Sequence, residues 1–323
     1  MGISASAFVR GDGPIKALVL GCMQSGKSTF IRQMVKNATK NVCATREYYR
    51  YCLQLHLLNV YRDLRKMCEN LDINYGELAS EFETIDTYRH REYFNDNVIN
   101  AINKLKRSGL FDLCKSRQRV LHMLPQNYNH FIQNTELFVD KNYVPTEMDI
   151  LLSYSQTIGE NRELLTCGSI KIELLEMPGH HIWRQKWAER FADQDMCIFV
   201  IDMSEICNPN FYDRGFLENK TLDIFKEVVN HPLLKGIYWV LIFNKMDIFE
   251  EHAAGFDFKK LASHLDTAES ARNFYRSQFL PVVPKTKLFH HNLSLILHKE
   301  SQTFIGDMFK KIGRLNRDRK QLT

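Results

Sequence analysis

The chain has 323 residues, of which 44% are hydrophobic and 25% charged, and its formal net charge is +5 at pH 7. This length and composition predict about two soluble globular domains with an ample core, and they exclude disordered and collagen-like chains. The apolar runs are strand-sized and far shorter than the about 18 residues of a spanning helix, so no membrane span is predicted. A basic excess this mild also disfavours a nucleic-acid partner.

Cysteine usage and the first residues bear on the cellular location. The eight cysteines are scattered without C-x-x-C pairs and no secretory segment leads the chain, which predicts a cytoplasmic protein with free thiols and disfavours disulfide and zinc sites. The start fits M-G-x-x-x-[ST], the acceptor pattern for N-myristoylation of Gly2, although an ordinary frayed terminus looks similar. One myristoyl chain binds membranes only marginally, so attachment to the inner face of the plasma membrane would need a partner or a basic patch as well.

The strongest motif is a phosphate-binding loop of the pattern G-x-x-x-x-G-K-[ST], formed by Gly21, Cys22, Met23, Gln24, Ser25, Gly26, Lys27 and Ser28. An apolar run precedes it and apolar residues at helical spacing follow it, so a strand, a loop and a helix are predicted. Backbone N–H groups of the loop would face phosphate oxygens, and Thr29 is included among the predicted contacts. Lys27 would reach the β- and γ-phosphates, and the Ser28 hydroxyl would hold Mg²⁺. The alternative is an ordinary glycine turn.

Residues 40–145 differ in character from the rest of the chain. Glycine is nearly absent there and apolar residues recur every three or four positions, which predicts a helical segment of domain size. Elsewhere strands and helices alternate, with strands predicted at 163–167, 170–176, 196–202, 237–243 and 292–297 and helices at 213–229, 256–277 and 301–316. This alternation predicts a mostly parallel sheet with a ligand at the carboxyl ends of its strands. The predicted fold is an α/β domain of residues 1–39 and 146–323 with an inserted all-α domain at 40–145.

A second motif, Asn244-Lys245-Met246-Asp247, follows the predicted strand at 237–243 and matches the N-K-x-D pattern of guanine readers. The Asp247 carboxylate would accept hydrogen bonds from the N1–H and 2-amino groups of guanine, a pair that adenine lacks. Asn244 would brace the loop, and the stem of Lys245 would lie over the ring system. The tetrapeptide alone is a weak signal, but together with a phosphate loop it favours a guanine nucleotide.

With these motifs and the helical insert, the chain resembles the α subunits of heterotrimeric G proteins from about residue 15 to its carboxyl end. Similar segments include 142–146, W-R-Q-K-W at 183–187 and the final helix. The resemblance implies a Ras-like P-loop GTPase domain, GTP and GDP as ligands, Mg²⁺, and a G-protein-coupled receptor at the final helix. It also implies that Thr157 in switch I ligates Mg²⁺, that Gly179 in switch II senses the γ-phosphate, and that effectors and a βγ dimer contact switch II.

Several departures from the family pattern predict slow hydrolysis. Tyr154 stands where the family carries its arginine finger, and Leu152 replaces a neighbouring arginine; such fingers contribute about 10³ to 10⁵ in rate. The family's D-V-G-G-Q reads E-M-P-G-H, so that Glu176 becomes the carboxylate beside Mg²⁺ and His180 replaces the water-orienting glutamine. Pro-Gly-His also resembles the D-x-P-G-H of translation elongation factors, which makes His180 a predicted catalytic residue. The alternative is a solvent-facing histidine in a disabled switch.

Three further differences concern binding. Gln24 replaces the phosphate-loop glutamate, so a bridge from this loop to an arginine across the switch is lost. The family's T-C-A-T loop aligns with 293–296, where the backbone N–H of Leu295 is expected to contact guanine. About twenty residues precede the phosphate loop, which is too few for the family's βγ-binding helix, so a βγ partner remains an open prediction.

Two functions fit these residues. The first is a divergent G-protein α subunit, a GTP/GDP switch in which Lys27 and Mg²⁺ stabilise charge on the leaving phosphates and His180 orients water. The second is a pseudo-GTPase scaffold that holds nucleotide statically, or none, and acts through protein contacts. Tyr154, Glu176 and the altered guanine loop motivate the second reading.

Overall fold

The chain divides into two compact units, one of residues 1–42 with 156–323 and one of residues 43–155. The computed structural model describes residues 13–39, 46–89, 93–117, 124–125, 127–153, 159–167, 170–208, 220–254 and 256–321. The second unit extends beyond the predicted boundary at 145, because the helix Glu147–Leu152 belongs to it. Within the described ranges, no helix combines the length and the apolar composition needed to cross a membrane.

A six-stranded sheet forms the centre of the first unit. Its strands in chain order are β1 Ile15–Leu20, β2 Asn161–Cys167, β3 Ile170–Glu176, β4 Met196–Asp202, β5 Tyr238–Asn244 and β6 Leu288–Asn292. Their spatial order is β2-β3-β1-β4-β5-β6; β2 is antiparallel to β3, and the other neighbours are parallel. This confirms the predicted mostly parallel sheet. The carboxyl ends of β1, β3, β4 and β5 therefore lie at one edge, where the candidate site is found.

The described α-helices are numbered in chain order across both units. They are α1 Lys27–Thr39, α2 Arg46–Asn70, α3 Ala79–Thr87, α4 Asp96–Arg107, α5 Leu110–Arg117, α6 Tyr128–Gln133, α7 Thr135–Val139, α8 Glu147–Leu152, α9 His181–Arg184, α10 Lys220–Val229, α11 Met246–Ala253, α12 Ala268–Phe279 and α13 His298–Gln321. Helices α2 to α8 make up the described part of the second unit, which contains no strand in its described residues.

The central strands are apolar on both faces because helices cover both faces. Every residue of β4 is buried, for example. On one face the sheet packs against α1 and α13 through residues such as Phe30 and Phe304. On the other face it packs against α10, α11 and α12 through residues such as Phe225 and Phe279. In β4 and β5 the polar groups Asp202 and Asn244 are therefore confined to the carboxyl ends of the strands.

The second unit has its own core, built on the long helix α2. Leu57, Tyr61 and Leu64 recur at helical spacing on α2 and are fully buried. The Tyr61 hydroxyl lies 3.5 Å from Thr135 Oγ1, so the polar end of this buried ring has a hydrogen-bonding partner. The apolar spacing that predicts helices in this segment therefore corresponds to a buried stripe.

Two predicted elements are wrong. The last strand is Leu288–Asn292 rather than 292–297, and Leu293 and Leu295 beyond it are buried at 1% exposure as part of a loop. Apolar side chains in that loop fill the core without pairing to a strand. The helix predicted over 256–277 begins only at Ala268, because Thr267 and Ser270 form a reciprocal capping box at its start.

Other predicted bounds shift by a few residues. The final helix, predicted over 301–316, extends over His298–Gln321. The helix predicted over 213–229 is described from Lys220 onward, and its first predicted turns lie outside the described residues.

We expect Phe225→Ala to lower the free energy of unfolding of the first unit by about 3–5 kcal/mol, since it removes a fully buried ring and leaves a cavity. The ring centroid lies 5.0 Å from that of Phe199 and 5.4 Å from that of Phe279. Urea denaturation followed by tryptophan fluorescence measures the change. The control is Leu233→Ala at a position that is 53% exposed, where about 0.5 kcal/mol or less is expected. Equal losses in the two variants would contradict the assigned core.

Candidate nucleotide site

The phosphate loop joins β1 to α1 in a conformation that requires glycine at two positions. Gly21 has a φ of +146° and Gly26 a φ of +106°. A Cβ on Gly21 would lie 2.4 Å from the carbonyl oxygen of Val200, and one on Gly26 would lie 2.2 Å from Asn244 Nδ2. Both glycines are therefore needed for close approach as well as for backbone conformation.

The other loop residues differ in exposure. Met23 and Gln24 are exposed, whereas Cys22 and Thr29 are partly buried. Ser25 is buried, and its hydroxyl has no hydrogen-bond partner among the described residues. A buried polar atom without a protein partner is uncommon and fits a loop in which a ligand supplies the partner.

Lys27 is held inside this loop by backbone carbonyl groups. Its Nζ donates to the carbonyl oxygen of Gly21 at 3.0 Å and to that of Cys22 at 2.8 Å. Burial lowers the pKa of Lys27 to about 8, and the nearby Glu176 carboxylate opposes that shift. The two bonds use two of the three N–H donors of the ammonium group and fix its position.

Glu176, at the carboxyl end of β3, reaches the first turn of α1. Ser28 Oγ donates to Glu176 Oε1 at 2.5 Å, although the two residues are 148 positions apart. The Glu176 side chain is buried. Hydroxyl and carboxylate oxygens are ligands that Mg²⁺ prefers, and a buried carboxylate favours a neighbouring cation. This pair therefore fits the predicted metal.

The segment that follows β3 lies against the phosphate loop. A Cβ on Gly179 would lie 2.5 Å from Lys27 Nζ and 2.7 Å from the Cys22 carbonyl oxygen, so only glycine fits there. The buried Trp187 anchors the same segment, because its Nε1–H donates to the Pro178 carbonyl at 3.0 Å. The backbone of Gly179 is thus placed beside the lysine that would contact the terminal phosphates.

His180 directly precedes the short helix α9 and is its N-cap residue. Its Nδ1 accepts the backbone N–H of Ile182 at 3.4 Å, and its ring lies 4.3 Å from that of His181 between centroids. A neutral imidazole that accepts at Nδ1 carries its proton on Nε2. No hydrogen bond joins His180 to the phosphate loop within the part of the chain that the structure describes. Its local role is to cap α9.

Asn244, at the carboxyl end of β5, joins the phosphate loop to the loop after β6. Its Nδ2 donates to the carbonyl oxygen of Ser25 at 2.9 Å. Its Oδ1 accepts the backbone N–H of Leu295, also at 2.9 Å. The Asn244 side chain is 3% exposed, so these bonds form away from water. This contact agrees with the predicted bracing role of Asn244.

The bond to Asn244 occupies the Leu295 N–H that was predicted to contact guanine. The Leu295 side chain is buried, and its N–H is directed to Asn244. The next N–H in the same turn, that of Ile296, has no partner among the described residues. Leu297 N–H then bonds back to the Ser294 carbonyl at 2.8 Å. The Leu295 N–H is thus used within the protein in this structure, and its predicted contact to guanine stays a prediction.

Lys245 and Asp247 flank the start of α11. Lys245 has a left-handed φ of +63°, and its Nζ lies 2.7 Å from Asp202 Oδ2. The backbone N–H of Asp247 donates to Ser294 Oγ at 2.9 Å, and the residue is partly exposed. The guanine-reading segment is thus tied to both β4 and the loop after β6.

Three predicted site residues lie outside the described residues: Gly2, Tyr154 and Thr157. Their predicted roles in lipidation, at the arginine-finger position and as an Mg²⁺ ligand remain predictions. Leu152 is described and ends helix α8 in the second unit.

A buried polar cluster beside the phosphate loop was missed from the sequence. Thr221 Oγ1 lies 2.7 Å from Glu205 Oε2 and 3.3 Å from Cys22 Sγ, and the Tyr275 hydroxyl donates to Glu205 Oε2 at 3.3 Å. Burial, reinforced by the negative charge of Asp202, raises the pKa of Glu205 well above its usual range. Burial also raises the pKa of the Cys22 thiol to about 11. The available signal was that two acidic residues, Asp202 and Glu205, lie at and just after the end of the apolar strand β4.

These groups meet at the edge of the sheet where the parallel strands β1, β3, β4 and β5 end. A phosphate loop, a hydroxyl–carboxylate pair suited to Mg²⁺ and an N-K-x-D loop define a guanine-nucleotide-binding protein of the P-loop class. The helical unit, which interrupts the chain between α1 and β2, is an additional feature that a narrower classification has to explain.

The family described as G-protein alpha subunit matches residues 5–312 of the chain. The chain is 22% identical over 320 residues to the guanine nucleotide-binding protein alpha-7 subunit of Dictyostelium discoideum, covering 93% of this chain and 79% of that protein. It is 27% identical to subunit alpha-15 of Oryctolagus cuniculus, covering 79% and 68%. It is 26% identical to the G(o) subunit alpha of Caenorhabditis elegans, covering 73% and 69%.

The chain therefore belongs to the G-protein alpha subunit family. This confirms the predicted fold, a Ras-like P-loop domain with a helical domain, and the predicted function as a guanine-nucleotide-binding signalling subunit. Members of the family are in general GTPases that associate with receptors, βγ dimers and effectors. Family membership favours the switch over the scaffold.

We expect Glu205→Gln to flatten the dependence of stability on pH above the ordinary glutamate pKa of about 4.3. The pKa of Glu205 is raised in the folded protein. At pH values between its pKa in the unfolded state and its pKa in the folded state, the folded protein therefore binds more protons. The contribution of this group to the free energy of unfolding falls as pH rises through that range. Glutamine has no such proton to lose.

Urea denaturation of wild type and variant at pH 5 and pH 8 measures this difference. Glu250→Gln, at an exposed position on α11, is the matched control and should retain the wild-type pH dependence. A Glu205→Gln protein whose stability changes with pH as much as that of the wild type would contradict the assignment.

Proposed function

We propose that this chain is a GTP/GDP switch that binds Mg²⁺ with its nucleotide and hydrolyses GTP slowly. The observation that carries the proposal is the bridge from Asn244 to Ser25 and Leu295, which joins the phosphate loop to the base-reading loop. One edge of the sheet thereby offers contacts for both ends of a guanine nucleotide. Family membership supports the nucleotide class, and the geometry supports the individual residues.

In the proposed mechanism Lys27 stabilises charge on the leaving phosphates. The Gly21 and Cys22 carbonyl groups hold its ammonium group in place, so its remaining donor is available to a phosphate oxygen without side-chain reorganisation. Anionic phosphate would also favour the protonated form of Lys27 and oppose the effect of burial. The residues that would hold Mg²⁺ are Ser28, Glu176 and Thr157. Bound Mg²⁺ would supply further neutralisation of phosphate charge.

His180 is the proposed water-orienting residue. While Nδ1 accepts the Ile182 N–H, the Nε2–H can donate to a water or to a phosphate oxygen but cannot take a proton from either. We therefore infer an orienting role and not a general-base role. The competing reading is that His180 only caps α9.

The switch itself would depend on contacts that exist only with a γ-phosphate. Gly179 packs against Lys27 and Cys22, which supports a role for its N–H in sensing the terminal phosphate, and Thr157 is proposed to act with it. Such contacts order switch segments in the GTP state and release them after hydrolysis. Tyr154 in place of an arginine is the reason for proposing a slow rate.

The proposed partners follow from family membership. A G-protein-coupled receptor would contact α13. An effector, and a βγ dimer if one binds, would contact the segment around α9, where Ile182 is 63% exposed. The proposed location is the cytoplasm, with the inner face of the plasma membrane added if Gly2 is myristoylated. Intact-mass measurement tests the acylation. If Gly2 carries no 14-carbon acyl chain, the proposed location at the plasma membrane is wrong.

Titration with fluorescent GDP and GTP tests the proposed nucleotide site. We expect both nucleotides to bind in a Mg²⁺-dependent manner. Adenine nucleotides should bind at least about 10²-fold more weakly, because adenine lacks the pair of donors that would face the Asp247 carboxylate. The fluorescence of Trp183 or Trp187 should differ between the GDP and GTP states. Asp247→Asn should lower GDP affinity while leaving inorganic tripolyphosphate as an equally good competitor. A wild-type protein that binds neither nucleotide would support the scaffold instead.

We expect His180→Ala to slow single-turnover GTP hydrolysis by at least about tenfold, because an orienting group is lost. His180→Asn should be equally slow, since asparagine caps a helix as well as histidine does but lacks the imidazole. Tyr154→Arg should speed hydrolysis, because it restores a cation at the finger position. Rates are measured as phosphate release from preloaded protein.

His181→Ala is the matched control, because the ring of this exposed neighbour contacts that of His180 but does not cap α9. It should retain the wild-type rate within about twofold. A His180→Asn protein that hydrolyses GTP as fast as the wild type would show that His180 serves only as a cap.

A further inference from the structure

Asp202 lies where the strand β4 meets the guanine-reading segment. It ends β4, and in the parallel pairing of β4 with β5 it is the register partner of Asn244. Its Oδ2 accepts from Lys245 Nζ at 2.7 Å, with 8% of the Asp202 side chain and 17% of the Lys245 side chain exposed. The lysine stem therefore runs from the end of β5 to the end of β4, along the edge where ligands bind in such sheets.

The carboxylate is fixed independently of the lysine. Its Oδ1 accepts the backbone N–H of Ser204 at 2.9 Å and the Ser204 hydroxyl at 2.6 Å. Both oxygens are thus engaged, and the acceptor for Lys245 has one orientation. The left-handed backbone of Lys245 fixes the other end of the stem.

We propose that Asp202 is a positioning residue for guanine binding, which anchors the Lys245 ammonium so that the lysine stem forms a preformed apolar platform for the base. This inference rests on the proposed nucleotide site and assigns a residue outside its motifs. A free lysine side chain loses most of its rotamer freedom when a base packs on it, whereas an anchored one has lost that freedom already. The side-chain entropy of lysine corresponds to about a tenfold gain in affinity.

Other charged groups face the same lysine. Glu205, one turn beyond Asp202, and His252 on α11 both lie within electrostatic range of Lys245. Asp202 lies at hydrogen-bonding distance, with its Oδ2 2.7 Å from Lys245 Nζ. A buried ion pair generally contributes little net stability to a fold. Stabilisation of the fold alone therefore does not account for the Asp202–Lys245 pair, and its place beside the base-reading loop favours a role in binding.

The first experiment compares a base-containing ligand with a phosphate-only ligand. Asp202→Asn retains an oxygen to accept from Ser204 and removes the charge that holds Lys245. We expect its Kd for fluorescent GDP to rise about tenfold and the Ki of inorganic tripolyphosphate to stay within about twofold. The control, Asp266→Asn, breaks an exposed pair with Lys259 and should change neither value. Equal losses for GDP and tripolyphosphate would show a structural role and overturn the inference.

The second experiment is a double-mutant cycle. Lys245→Met keeps an apolar stem but removes the ammonium, so in that background Asp202→Asn should change GDP affinity by less than about twofold. Additive losses would overturn the inference.

If Asp202→Asn fails to fold, Ser204→Ala provides a second test, because it loosens the same carboxylate. It should weaken GDP binding by about threefold, and no change would again contradict the inference. A wild type that binds no GDP overturns the proposed function itself, whereas a wild type and an Asp202→Asn variant that bind GDP equally overturn only this inference.

Discussion

The side-chain amide of Asn244 is the contact on which the arrangement of the site depends. One end bonds the carbonyl of Ser25 in the phosphate loop and the other bonds the N–H of Leu295, both at 2.9 Å. These groups are buried, so water cannot replace a lost partner, and an unsatisfied group there costs about 1–3 kcal/mol. Because apolar residues fill β4 and β5 up to their last positions, the polar contacts of these two strands lie at the strand ends. The phosphate loop and the loop after β6 are thereby held at a fixed separation by protein groups alone.

The residues proposed to hold phosphate and those proposed to promote hydrolysis depart from the family pattern to different extents. Lys27 retains two carbonyl partners in the loop, and Ser28 retains a carboxylate partner in Glu176. In contrast, position 154 has no cation, and the nitrogen of His180 that faces its own helix is used as a cap. Burial and close packing impose the first set, since a loop this crowded tolerates few changes. Of the second set, the described residue His180 is only partly buried, so a change there costs the fold little.

Prediction from the sequence succeeded where a pattern is local. The strands β3 and β4 have their predicted bounds, because continuous apolar runs between turns are typical of buried parallel strands. It failed at 292–297, where buried leucines belong to a loop, since burial alone does not reveal whether the backbone pairs with a strand. It also failed at 256–267, because the capping box at Thr267 starts the helix later than the apolar spacing indicates.

The sequence by itself determined the phosphate loop, the guanine-reading tetrapeptide, the helical segment and the family, because each is encoded in contiguous residues with a local spacing. Only the tertiary structure decided that the Leu295 N–H bonds Asn244 and that the Lys245 ammonium bonds Asp202. Those contacts join residues that strand order and register bring to one edge of the sheet. No local spacing specifies them, since they depend on which strands are neighbours and on where each strand ends.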